Sequence, residues 1–129
     1  MKIGHDENYL AIQRRDETDP YSGFSISAAC GYGDSIFTAS NGTVHFDQTD
    51  EARLSFQSFE ALESNDTRIN LTEGCSLVLS RQSRGDIQVE FVIHRHRFEA
   101  TLKGQVVVAG EDSTGFLREL GSLAFGVAQ

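Results

Sequence analysis

Residues 86–109 read DIQVEFVIHRHRFEATLKGQVVVA. From Ile87 the odd positions are apolar: Ile87, Val89, Phe91, Ile93. After His96 the even positions are: Phe98, Ala100, Leu102, Val106, Val108. Strict alternation marks a half-buried strand, because strand side chains project with a period of two. One flat strand cannot bury both sets, since a shift of one residue sends every side chain to the opposite face. The chain must therefore turn or bulge between Ile93 and Phe98. A hairpin with its tip near His94-Arg95-His96-Arg97 is the simplest solution. This fixes an antiparallel core without naming a reaction.

Shorter patterns lie upstream. Residues 9–14 (YLAIQR) and 24–30 (FSISAAC) read as strands, separated by an acidic turn that holds Pro20, the only proline. Gly31-Tyr32-Gly33-Asp34 turns the chain. Residues 35–40 contribute Ile36 and Phe37. Asn41-Gly42 is then a hairpin signal, because both residues tolerate positive φ, and residues 43–48 form the return strand. Thr49 caps a helix predicted over residues 49–63, with Asp50 and Glu51 at the positive end of its dipole. Its apolar stripe is Ala52, Phe56, Phe59 and Leu62, with Leu54 less well placed. Residues 67–71 and 75–80 are further strands, and residues 81–86 (RQSRGD) a polar turn. Ser113 or Asp112 caps a last helix with the stripe Phe116, Leu117, Leu120, Leu123 and Ala124. Some seven strands and two helices give an α+β fold, an antiparallel meander with both helices packed against it. Phe91, Ile93, Leu102, Val106, Leu117 and Leu120 are the expected core.

At 129 residues the chain reads as a single domain, residues 1–129. No apolar run approaches the roughly 20 residues of a membrane helix. The first residues lack an apolar signal core, so a cytoplasmic protein is expected. Cys30 and Cys75 have no CxxC spacing and read as buried free thiols. Residues 1–73 carry 13 acidic and 5 basic side chains, and residues 74–129 carry 6 of each, so the formal net charge of −8 lies in the first part. Such a surface suits nucleic acid poorly, since phosphate is bound by Lys and Arg clusters. Solubility is its simplest use. A basic protein partner is a second, because complementary fields speed encounter.

Candidate chemistry is sparse. His94-x-His96 could present two imidazoles on one strand face, but further zinc ligands are not spaced for it and Arg95 and Arg97 oppose a dication. The expectation is no metal at this tip. Arg84-Gly85-Asp86 reads as a turn, and Gly31-x-Gly33 lacks the remainder of a phosphate loop. No cofactor motif or catalytic constellation is visible. Glu60 and Glu63 fall on one side of the predicted helix, with Asp66 just beyond.

The order of elements from about residue 37 to 123 resembles a family of small bacterial domains related to the immunity proteins of WapI-type contact-dependent toxins. The pattern is a helix with spaced aromatics (residues 52–62, ARLSFQSFEAL), a strand Leu77-Val78-Leu79, then residues 85–91 (GDIQVEF). A second arm (residues 98–102, FEATL) and a final helix with Phe116-Leu117-Arg118-Glu119-Leu120 complete it. The resemblance implies no catalytic residues. The expected function is a non-enzymatic protein-binding domain, with a toxin as one partner class. Asp47, Asp50, Glu51, Glu60 and Glu63 would form its contact surface. The alternatives are a small-ligand binder or enzyme with a cleft between sheet and helices, and a plain oligomerising domain.

Overall fold

The structure, a computed structural model, describes residues 1–19, 22–95 and 100–126. Among them the order is β1 (Lys2–His5), β2 (Asn8–Arg14), β3 (Phe24–Tyr32), β4 (Ser35–Val44), α1 (Asp50–Glu60), β5 (Asp66–Asn70), β6 (Ser76–Arg81), β7 (Ile87–Arg95), β8 (Ala100–Val108) and α2 (Ser113–Phe125). The fold is α+β, and its strands divide into two antiparallel four-stranded meanders, β1-β2-β3-β4 and β5-β6-β7-β8. The strand β1 is additional to those expected from sequence.

The apolar alternation of residues 87–108 is realised in β7 and β8. Val89 lies opposite Val106, Phe91 opposite Gly104, and Ile93 opposite Leu102. The last described pair is Arg95 with Ala100. The tip placed at His96 and Arg97, and the apolar Phe98, lie outside the described residues. Ile87, Val89, Phe91 and Ile93 are buried, and Leu102 is half-buried against the same core.

One face of each sheet turns inward. The first contributes Leu10, Ile12, Phe24, Ile26, Ala28 and Cys30, the second Ile69, Leu77, Leu79 and the β7–β8 set. At Gly104 the two sheets are in close contact. A Cβ there would run into the Cys30 sulfur and lie 2.6 Å from Phe91 Cζ. The helices close the remaining inner surface with Phe56 and Phe59 from α1 and Phe116, Leu117, Leu120 and Ala124 from α2. At about 25 cal/mol per Å² of apolar surface, this burial is the dominant favourable contribution to folding.

Asn41-Gly42 does not turn the chain. Gly33 (φ 59°) and Asp34 form the two-residue β3–β4 loop, and β4 then runs unbroken through Asn41 and Gly42. A register shift opposite Ser25 makes this a bulge. The Asn41 side chain serves two partners. Its Oδ1 accepts from Thr43 N at 3.0 Å, and its Nδ2 donates to His94 O at 2.9 Å.

Candidate protein-binding surface

The helix α1 starts as its sequence directs. Thr49 Oγ1 accepts from Ala52 N at 3.2 Å, satisfying one of the free amides. Asp47 Oδ1 accepts from Thr49 N at 3.1 Å, and Asp47 N donates to Asn70 O at 2.9 Å, which fixes the entry to the helix against β5. Asp50 and Glu51 occupy the first turn, where the macrodipole favours them. Phe56 and Phe59 face inward, and Ser55 shares a 2.7 Å hydrogen bond with Thr67 of β5.

The other end departs from the predicted helix. It stops at Glu60, three residues short of Glu63. Leu62 N donates to Phe59 O at 3.2 Å and Glu63 N to Ser58 O at 2.8 Å. This is the Schellman pattern of paired bonds, and it needs a left-handed residue that is usually glycine. Here that residue is Leu62, at φ 64°. It is 72% exposed, so its place in the apolar stripe is corrected. Arg81 reinforces the same end, donating to Phe59 O at 2.8 Å with its guanidinium 4.6 Å from the Phe59 ring centroid.

The five carboxylates therefore form two groups. Asp47, Asp50 and Glu51 stand at the start of α1. Glu60 and Glu63 stand at its end, about 15 Å away by the rise per residue. Glu63 lies beyond the helix, so the expectation that it shares a helix side with Glu60 is corrected. Among the described residues none of the five is in an ion pair. Each group adjoins an exposed leucine that sequence reasoning did not assign to it. Leu54, 62% exposed, follows Asp50 and Glu51 at the four- and three-residue spacings that bring helix side chains together. Leu62 lies between Glu60 and Glu63.

Other sequence features have structural uses. Asp86 of the Arg84-Gly85-Asp86 turn accepts from Gly110 N at 2.8 Å, tying that turn to the approach to α2. In the acidic loop, Asp16 accepts from Thr18 Oγ1 at 2.7 Å and from Thr18 N at 2.9 Å, which holds its carboxyl below the usual range. His94 Nδ1 is 2.6 Å from Thr101 Oγ1, and His96 lies outside the described residues. Both cysteines are buried free thiols, and burial pushes both pKa values up. The Cys75 sulfur takes His94 N at 3.4 Å and donates to His94 O at 3.7 Å. Cys30 instead lies at Gly104 and Phe91, three residues earlier on β7, or about 10 Å along the strand.

Grooves exist away from α1. One of about 710 Å³ runs beside β4, lined by Phe37, Ser40, Arg95 and Leu102 among others. Another, of about 510 Å³, separates β1 and β8 from α2. No described helix is long and apolar enough to cross a membrane. The two meanders and two helices define an α+β domain with an acidic helical surface. Comparison with protein-family models, with curated proteins and with solved structures gives no match.

Proposed function

We propose that this is a non-enzymatic protein-binding module whose contact surface centres on α1, and that its partner presents basic residues around an apolar patch. An immunity protein occupying a toxin is the form of that function the family resemblance favours. The observation that carries the reading is Leu62. A bulky apolar side chain stands exposed at a position where glycine is the usual solution, between two acids. Left-handed backbone at a non-glycine residue costs energy, and such strain concentrates at binding sites. Leu54 repeats the combination of exposed leucine and neighbouring carboxylates at the other end of the helix. Desolvated apolar anchors ringed by charge are how interfaces combine affinity with selectivity.

The test is affinity capture of a partner, followed by titration. Raising salt should slow association, because the Debye length is about 8 Å at physiological ionic strength. The double reversal Glu60→Lys/Glu63→Lys should weaken binding while circular dichroism stays unchanged. A partner indifferent to both salt and reversal would sink the electrostatic reading. Enzymatic turnover lost on removing any one of the five carboxylates would sink the non-enzymatic one.

A further inference from the structure

One end of the first sheet meets the outer strand of the second, and a groove of about 520 Å³ opens there. Its walls carry Asn8, Tyr32, Glu90, Lys103 and Gln105. The topology brings these residues together. Asn8 opens β2 and Tyr32 closes β3, so both stand at the same end of the first sheet. Glu90 and Gln105 are cross-strand partners on β7 and β8. Lys103 lies two residues along β8 on the same face as Gln105. It is the wall residue nearest to Ala100 along β8, and the separation is about 10 Å. The helix α1 packs on β5, at the opposite edge of the second sheet, so this groove is remote from the acidic surface.

Hydrogen bonds within the protein hold the polar side chains in place. Asn8 Oδ1 accepts from Gly31 N at 3.1 Å. Gln88 Nε2 donates to Glu90 Oε1 at 2.9 Å and to Gln105 Oε1 at 3.0 Å. The amides of Asn8 and Gln105 are thus fixed by their oxygens, and among the described residues each keeps its NH2 group free. The second oxygen of Glu90 and the Lys103 ammonium are likewise unengaged among the described residues. Tyr32 is 75% exposed, more than any other large apolar side chain described. An uncovered aromatic ring therefore stands beside two oriented amides, a carboxylate and an ammonium.

We propose that this groove binds a neutral saccharide, with a C–H face of a pyranose ring stacked on Tyr32 and its hydroxyls held by Asn8, Gln105, Lys103 and Glu90. The set of donors and acceptors selects that class. Asn8, Gln105 and Lys103 offer N–H groups, and Glu90 offers an acceptor. The charges of Lys103 and Glu90 cancel, in a chain of net charge −8. A hydroxyl both donates and accepts, so neighbouring hydroxyls of one ring can serve all these groups. Phosphate would meet the Glu90 carboxylate, and a simple cation would meet the Lys103 ammonium. A zwitterion would depend on those two charges, which stand in solvent and are worth little there. An aromatic ring flanked by polar groups suits a ligand that is apolar on its face and polar around its rim. Amides oriented in advance lower the ordering cost of binding it.

Titration of the isotope-labelled full chain, followed by NMR, tests this. The probes are glucose, galactose, mannose, N-acetylglucosamine, maltose, cellobiose and lactose, each to about 50 mM, which reveals a Kd in the millimolar range. At least one sugar should give saturable shifts in the Gly31 and Gly104 amides and in the Asn8 and Gln105 side-chain NH2 groups. Tyr32→Ala should raise the Kd for that sugar about tenfold, while Tyr32→Phe keeps it within about twofold. Gln105→Ala should raise it about threefold to tenfold. That variant replaces Tyr32→Ala if the latter loses its circular dichroism. Leucine and inorganic phosphate are titrated in parallel. A groove that saturates with either of these and with no sugar overturns the proposal, as does one that saturates with none of the probes. So does a sugar affinity that both alanine variants leave unchanged.

Discussion

The strands β7 and β4 are nearly equal in length, at nine and ten residues, yet their apolar side chains have opposite fates. In β7 all four alternating apolar residues are buried. In β4 only Val44 is, while Ile36 and Phe37 stand exposed. Position in the sheet explains the difference better than composition does. The strand β7 has a neighbour on each side, β6 and β8, and the first sheet and the helices cover its inner face. The strand β4 closes its sheet on one side only. Apolar residues on a central strand report the core, whereas the same residues on β4 do not.

Two phenylalanines put a size on that difference. Phe91→Ala should destabilise the protein by about 3–5 kcal/mol, since it removes a buried ring and leaves a cavity between two close-packed sheets. Phe37→Ala should change monomer stability by no more than about 0.5 kcal/mol. Urea denaturation at low protein concentration, compared through midpoints at constant slope, measures both. Equal losses would mean that Phe37 belongs to the core.

Gly104 sharpens the same contrast where the two sheets meet. Gly104→Ala forces its new methyl group onto the Cys30 sulfur and the Phe91 ring. Overpacking of this kind should cost about 1–3 kcal/mol. Adding Cys30→Ala should recover part of the loss and leave the remainder to Phe91. The midpoints of the single and double variants give the coupling between the two positions. Strict additivity would show that the sheets separate without resistance.

The β7–β8 hairpin was legible because its alternation is local and Ile87, Val89 and Ile93 each face an aliphatic partner across the strand, with Gly104 opposite Phe91. The stripe of α2 was legible for the same reason, and Phe116, Leu117, Leu120 and Ala124 are buried as its spacing requires. Asn41-Gly42 misled because its role is set from afar. The Asn41 amide serves a carbonyl 53 residues away, at His94, and no local rule contains that bond. The end of α1 misled differently. Residue spacing continues the helical stripe through Leu62, and the glycine that would announce a stop is missing. The acidic residues of the candidate surface were visible by type. Their division into two groups, each beside a leucine, depends on where the helix ends and was not.

Leu62→Gly gives a small effect and the most discriminating one. Left-handed backbone costs an ordinary L-residue roughly 1–2 kcal/mol, and glycine escapes that cost. Glycine also loses more freedom on folding, a penalty of about 0.5–1 kcal/mol. The net expectation is a protein more stable by about 0.5–1 kcal/mol, seen as a higher urea midpoint. If Leu62 merely ends a helix, the substitution improves the protein and changes nothing else. If it anchors a partner, affinity falls as stability rises, because the exposed leucine is removed while Glu60 and Glu63 keep their charge. Leu54→Ala provides the companion measurement, for it removes the other exposed leucine without altering backbone strain. Loss of affinity in both variants, with added stability in Leu62→Gly alone, would separate recognition from helix termination. Unchanged affinity in both would leave the exposed leucines of α1 without a role in binding.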